Sequence, residues 1–118
     1  MSKRETDIQA EVRLRASQRG ITLWRNNRGA MQDATGRWVR FGLANDSKTV
    51  AEQLASADLI GITPLLIGPE HVGHVVGVFT SIEVKRPGEK PTEAQSRWLE
   101  LVLRLGGIAR VVTRAEDI

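Results

Sequence analysis

The sequence predicts a mixed α/β fold in one domain spanning residues 1–118. Three observations lead there: a helical apolar period near each end of the chain, β-rich segments between and after those two, and glycine or proline at most junctions. A chain of 118 residues, 41% hydrophobic and 26% charged, can bury roughly two-thirds of its unfolded surface around one core, and its composition is not that of a disordered segment.

The elements follow in order. Residues 5–19 predict an amphipathic helix, because Ile8, Val12 and Ala16 recur every four residues and Gly20 stops the run. Residues 21–27 predict a strand, the polar stretch Arg28–Gly36 a loop, and Arg37–Phe41 the hairpin partner of that strand. The polar segment 43–56 carries a short helix at 48–55. A second hairpin is expected from Asp58–Ile67 and Val75–Lys85, joined by a turn-rich connector from Gly68 to His74, with Pro64 shortening or bending its first strand. Pro87-Gly88 breaks the chain. Residues 92–105 then form the best helix, with Trp98, Leu101, Val102 and Leu105 on one face and Gly106-Gly107 ending it. Ile108–Val112 is a final buried strand, and Thr113 with Glu116 resembles a capping box opening a short terminal helix. The order is α-β-β-(α)-β-β-α-β-(α).

Composition narrows function. The absence of cysteine excludes disulfides, thiolate metal sites and cysteine nucleophiles. The first residues lead into no apolar stretch and no apolar run approaches about 18 residues, so a cytoplasmic chain, neither secreted nor membrane-spanning, is expected. The net charge of +3 is uneven: residues 1–40 hold nine basic and four acidic side chains, residues 41–118 eight and ten. Arginine dominates the basic part, and guanidinium suits bidentate phosphate contact. Taken alone, that charge reads as a solvated arginine-rich surface.

The chemistry lies around Ile82-Glu83-Val84-Lys85. Side chains alternate along a strand, so Glu83 and Lys85 share one face and Ile82 and Val84 the other. Glu83 and Lys85 sit about 7 Å apart along the strand, a spacing that can hold a divalent ion and steady a water or an oxyanion. The plain alternative is a solvent-facing ion pair on an amphipathic strand. Folding the second hairpin about its connector sets Asp58 within a register step of Glu83, and opposed carboxylates destabilise a sheet unless a cation such as Mg²⁺ lies between them; the alternative is a slipped register in which Asp58 merely ends the preceding loop. Glu5 falls on the stripe of Ile8, Val12 and Ala16. Two roles fit it equally: a partner for the helix N-terminus, or a carboxylate aimed at a metal site. Thr92 and Gln95 match a capping box, while Gln95 also borders the Trp98 face and could reach the sheet. Asn26 and Asn27 follow a strand and suit a turn better than a phosphate contact. His71 and His74 lack further ligands for zinc and are expected as exposed loop residues.

Taken together these residues resemble the PD-(D/E)XK nuclease superfamily, and most closely its VRR-NUC family, the virus-type replication-repair nucleases, in their stand-alone form. The pieces that carry the resemblance are Glu5-x-x-Ile8-Gln9, Arg25-Asn26-Asn27-x-Gly29, Ser56-Ala57-Asp58-Leu59-Ile60-Gly61, Ile82-Glu83-Val84-Lys85, Pro91-Thr92-x-x-Gln95 and Gly106-Gly107-Ile108-Ala109. They run over nearly the whole chain, about residues 5–117. The resemblance implies a restriction-endonuclease-like core, a mixed central β-sheet flanked by helices. It also implies a metal-dependent phosphodiesterase acting on DNA. By similarity, Asp58, Glu83 and the main-chain carbonyl of Val84 would ligate Mg²⁺ or Mn²⁺, and Glu5 would add a ligand. Lys85 would orient the attacking water and stabilise the charge developing on the phosphorane, and Gln95 would support the site. Members of the stand-alone type resemble small, dimeric, junction-resolving enzymes, which implies branched DNA such as four-way junctions, a homodimer, and a bacterial or phage-infected cell. Two departures stand out: Ala57 replaces the usual proline, and residues 44–56 are longer than the family pattern.

The basic first half gains a purpose in that setting, with Arg25, Asn26, Asn27, Arg28, Arg37 and Arg40 as DNA contacts. Two alternatives remain: a nuclease of the same fold on flap or linear DNA, and a non-catalytic DNA-binding module. A binding module has no need of Asp58, Glu83 and Lys85 together.

Overall fold

A computed structural model describes residues 4–118. The chain divides into two compact units, Met1–Gly61 and Ile62–Ile118. In the first unit, helix α1 spans Glu5–Gln18. It ends in a left-handed turn at Gly20 (φ 76°), where the Gly20 N–H donates to the Ser17 carbonyl and the Ile21 N–H to the Ala16 carbonyl. Its stripe is not sealed in a core. Ala16 is buried, but Ile8 and Val12 are 46% and 43% exposed and line an open groove of about 570 Å³ with Ala16, Ile21 and Leu23.

Strand β1 is Thr22–Arg25, β2 is Gly29–Gln32 and β3 is Trp38–Phe41. The first hairpin therefore differs from expectation. Arg37–Phe41 pairs not with residues 21–27 but with Gly29–Gln32, antiparallel, in the register Gly29–Phe41 through Gln32–Trp38. The turn between them is set by Asp33, whose Oδ1 accepts from the Thr35 N–H at 2.9 Å, the Thr35 hydroxyl at 2.6 Å and the Arg37 N–H at 3.0 Å. Buried Asn45 ties off the open end of the hairpin. Its Nδ2 donates to the Gly29 and Phe41 carbonyls, both at 2.8 Å, while its Oδ1 accepts from Arg40 at 2.8 Å. Helix α2, Lys48–Gln53, begins where the Ser47 hydroxyl accepts the Val50 N–H.

Strand β4 is Leu59–Ile62 and takes β1 as its neighbour. Thr22 lies so close to Gly61 that a Cβ there would fall 1.8 Å from the Thr22 carbonyl oxygen, so only glycine fits. The second unit holds β5 at Thr80–Val84, helix α3 at Glu93–Arg104 and β6 at Ile108–Val112. β5 and β6 pair in parallel with α3 as the crossover, Glu83 opposite Val111 and Val84 opposite Val112. Val102 on α3 is fully buried, Trp98, Leu101 and Leu105 on the same face are half-buried, and Gly106 (φ 95°) closes the helix as Gly20 closes α1.

The architecture is thus mixed α/β, but the strands form three two-stranded ladders among the described residues, in place of the expected central mixed sheet. The expected second hairpin is replaced: β4 pairs with β1, and β5 with β6. Pro64, lacking an N–H, stands two residues past the end of β4, and residues 63–68 form no strand. With that hairpin goes the register that set Asp58 opposite Glu83. The terminal helix is a 3₁₀ turn at Ala115–Asp117, fixed by Asp117, not Glu116: its carboxylate accepts the Thr113 N–H at 2.9 Å and the Arg114 N–H at 3.2 Å. Among the described residues, no helix is long and apolar enough to cross a membrane.

Candidate functional site

Strand β5 presents an inverted face. Ser81, Glu83 and Lys85 are half-buried, whereas Ile82 and Val84 are 36% and 70% exposed. Lys85 Nζ lies 3.7 Å from Glu83 Oε1, with only 17% and 28% of the two side chains exposed. A solvent-facing pair on an amphipathic strand would show the opposite pattern, so the plain alternative fails on burial. Partial withdrawal from water strengthens the field of both charges on a third group placed beside them.

Helix α3 holds this face in place. Trp98 Nε1 donates to Ser81 Oγ at 2.8 Å, and the Trp98 ring meets Phe79 edge-on, centroids 6.4 Å apart at 75°. The ladder continues past β5 through the Lys85 N–H, which donates to the Val112 carbonyl at 3.0 Å, so the lysine backbone is anchored as well. Gln95 performs its capping role: its Oε1 accepts the Thr92 N–H at 2.9 Å, and its own N–H donates to Thr92 Oγ1 at 3.1 Å.

Asp58 lies in the other unit, just before β4, and is exposed. Among the described residues its carboxylate accepts no hydrogen bond and joins no ion pair. Its backbone carbonyl accepts the Asn26 N–H at 2.8 Å. Glu5 is the exposed first residue of α1, where with Asp7 it complements the helix N-terminus. The stripe it shares with Ile8 and Val12 lines the open groove and is not an inward face.

The predicted DNA contacts fall into two groups. Arg25, Asn27 and Arg37 are exposed, Arg37 within 3.8 Å of Asp33. Arg28, Arg40 and Asn26 are half-buried and occupied. Arg28 donates to the Leu54 carbonyl at 3.2 Å, Arg40 to Asn45, and Asn26 to Ser56 and Ala57. His74 is exposed as expected. His71 is not: it is half-buried, and its Nδ1 accepts the Gly68 N–H at 2.9 Å, which shapes the turn at Pro69–His71.

Ser81, Ser56 and Asn45 carry connections that sequence reasoning missed. Ser81 was findable, since it stands two residues before Glu83 on the same strand face. Ser56 acts through contacts 13 and 30 residues distant, and Asn45 joins nearby Arg40 and Phe41 to Gly29, 16 residues back, which no local pattern reveals.

Among the described residues, no group of three or more His, Asp or Glu gathers as a ready-made metal cluster. The donors at hand are carboxylate and carbonyl oxygens, the set a hard cation prefers, and the unengaged Asp58 carboxylate keeps both oxygens open. In comparisons with known proteins, no family model, no curated protein and no solved structure matches this chain.

Proposed function

We propose that the chain is a Mg²⁺- or Mn²⁺-dependent endodeoxyribonuclease of the VRR-NUC type that hydrolyses phosphodiester bonds in branched DNA, four-way junctions above all. The observation that carries this reading is the half-buried Glu83–Lys85 pair, 3.7 Å apart on a face where apolar side chains would be cheaper to bury. Function accounts for its retention.

Asp58, Glu83 and the Val84 carbonyl would hold the cation, with Glu5 as an added ligand. The bound cation supplies charge neutralisation on the phosphate and a more acidic water. Lys85 then orients the attacking water and offers a fixed positive charge to the negative charge that develops on the phosphate oxygens. Its anchored backbone and its ion pair with Glu83 make that charge pre-placed, the condition under which electrostatic stabilisation is largest. Gln95 caps α3 and so keeps the helix seated on the face that bears the pair. The excess of arginine in the first 40 residues draws the DNA backbone, with Arg25 and Arg37 exposed to meet it. A homodimer in the cytoplasm would match the twofold symmetry of a four-way junction.

Labelled four-way junction and matched linear duplex, each incubated with Mg²⁺, Mn²⁺ or EDTA, test the proposal. Cutting of the junction that requires metal and spares the duplex is expected. Equal cutting of both retains the nuclease and removes the junction preference. Binding without cutting under any metal makes the chain a DNA-binding module.

A further inference from the structure

We propose that Asn26 is the positioning residue of Asp58, and so a determinant of metal affinity and not a DNA contact. This role rests on Asp58 being a metal ligand, as proposed above. Asn26 grips three consecutive residues. Its Nδ2 donates to Ser56 Oγ at 2.8 Å and to the Ala57 carbonyl at 2.9 Å, and its backbone N–H donates to the Asp58 carbonyl at 2.8 Å. Its Oδ1 accepts the Leu43 N–H at 3.3 Å, and Ser56 Oγ returns a hydrogen bond to the Leu43 carbonyl at 2.7 Å. One side chain thus closes a ring through Leu43, Ser56 and Ala57 and uses its donors and its acceptor within the protein. None remains for a phosphate.

The segment so held needs holding. Residues 55–57 lie between the end of α2 and β4 without regular structure, and Asp58 follows them with its carboxylate exposed. Beyond the Asn26 ring, the Leu54 carbonyl is tied by Arg28. A group that hydrogen-bonds a metal ligand itself is worth about 10- to 100-fold in metal affinity or activity. Asn26 acts one step further back, its side chain on the Ala57 carbonyl and its N–H on the Asp58 carbonyl, so its effect falls at or below the lower end of that range.

The test uses the full-length protein and Mn²⁺ as the probe, with affinity read directly by electron paramagnetic resonance of free Mn²⁺. Asn26→Ala, which keeps the backbone N–H to the Asp58 carbonyl, is expected to weaken Mn²⁺ binding by up to about 10-fold and to raise the half-saturating metal concentration for cleavage by the same factor. Excess metal should restore cleavage, and junction affinity in EDTA should be unchanged. Ser56→Ala, which removes one node of the ring but not the β1–β4 pairing, is expected to shift Mn²⁺ affinity the same way by less, and covers the case in which Asn26→Ala fails to fold. Ser47→Ala, which uncaps α2, controls for lost stability and should leave Mn²⁺ affinity alone. Unchanged Mn²⁺ affinity in Asn26→Ala and Ser56→Ala, with junction affinity lowered, would overturn the proposal and return Asn26 to the DNA surface. If Asp58→Ala itself leaves Mn²⁺ binding intact, the metal-ligand reading fails, and the role of Asn26 fails with it.

Discussion

The hydrogen bond from Trp98 to Ser81 joins α3 to the strand face that bears Glu83 and Lys85, and its strength can be worked out in advance. Trp98→Phe keeps the edge-on contact with Phe79 but removes the indole N–H, leaving a half-buried hydroxyl without its 2.8 Å donor. Ser81→Ala does the converse. A neutral hydrogen bond contributes about 1 kcal/mol net, and stranding a partly buried partner costs about as much again, so each single variant should lose about 1–2 kcal/mol. The double variant leaves neither group stranded and should cost little more than the worse single one. Urea unfolding of the four proteins followed by circular dichroism should therefore give a coupling energy of about 1 kcal/mol. Additivity within about 0.3 kcal/mol would show that the contact does not hold α3 on β5, and would refute the placement of Ser81 as part of this face.

Further outcomes follow from the first unit. Asn45→Ala removes a side chain that is 2% exposed and strands two carbonyls and Arg40 Nη2, while Arg40 Nε keeps the main-chain carbonyl of residue 45, at a cost of about 2–3 kcal/mol in urea unfolding; a loss below about 1 kcal/mol would contradict its role in closing the hairpin. Asp33 titrates below its ordinary 3.8, first because the Thr35 hydroxyl donates to its carboxylate and then because the Arg37 and Thr35 N–H groups do. Its carboxyl binds protons less tightly when folded, so its contribution is complete above 3.8 and fades as pH falls through the lower folded value. A carboxyl-carbon NMR titration should give a midpoint under 3.8 that returns toward that figure in Thr35→Ala; a wild-type midpoint at or above it would exclude the turn geometry described.

Much of this was legible because it is local. Trp98, Leu101, Val102 and Leu105 repeat at helical spacing with a capping box before and two glycines after, so α3 falls within a residue of its expected ends. The last strand, Ile108–Val112, follows from the same glycines, but it is not the buried strand expected: Val112 is buried, while Ile108 and Val111 are 44% and 41% exposed. The burial of the Glu83–Lys85 face was less visible, because alternation fixes which residues share a side and not which side is covered. Strand β2 lies hidden in the polar stretch Arg28–Gly36, because Gly29-Ala30-Met31-Gln32 holds no β-branched residue. Its strand character comes from the turn that Asp33 and Gly36 build beside it. The partners of β4 and β5 were missed for a different reason. A connector rich in turn residues suggests a hairpin, but β5 instead takes a parallel neighbour more than twenty residues on, across α3, and no periodicity encodes that choice. The neighbours of Asn26 in sequence suggest a phosphate contact or a turn, whereas its side-chain partners lie up to 31 residues away.

On the function proposed, the half-buried Glu83–Lys85 pair is retained for chemistry. Single-turnover cleavage of a four-way junction at saturating Mn²⁺, with junction affinity measured in parallel, separates chemistry from binding. Lys85→Ala is predicted to slow cutting by about 10²- to 10³-fold, the range for losing one fixed charge-stabilising donor, while junction affinity changes by about threefold or less. Cutting at the wild-type rate by a folded Lys85→Ala protein would remove Lys85 from the chemistry and leave the pair as a structural contact.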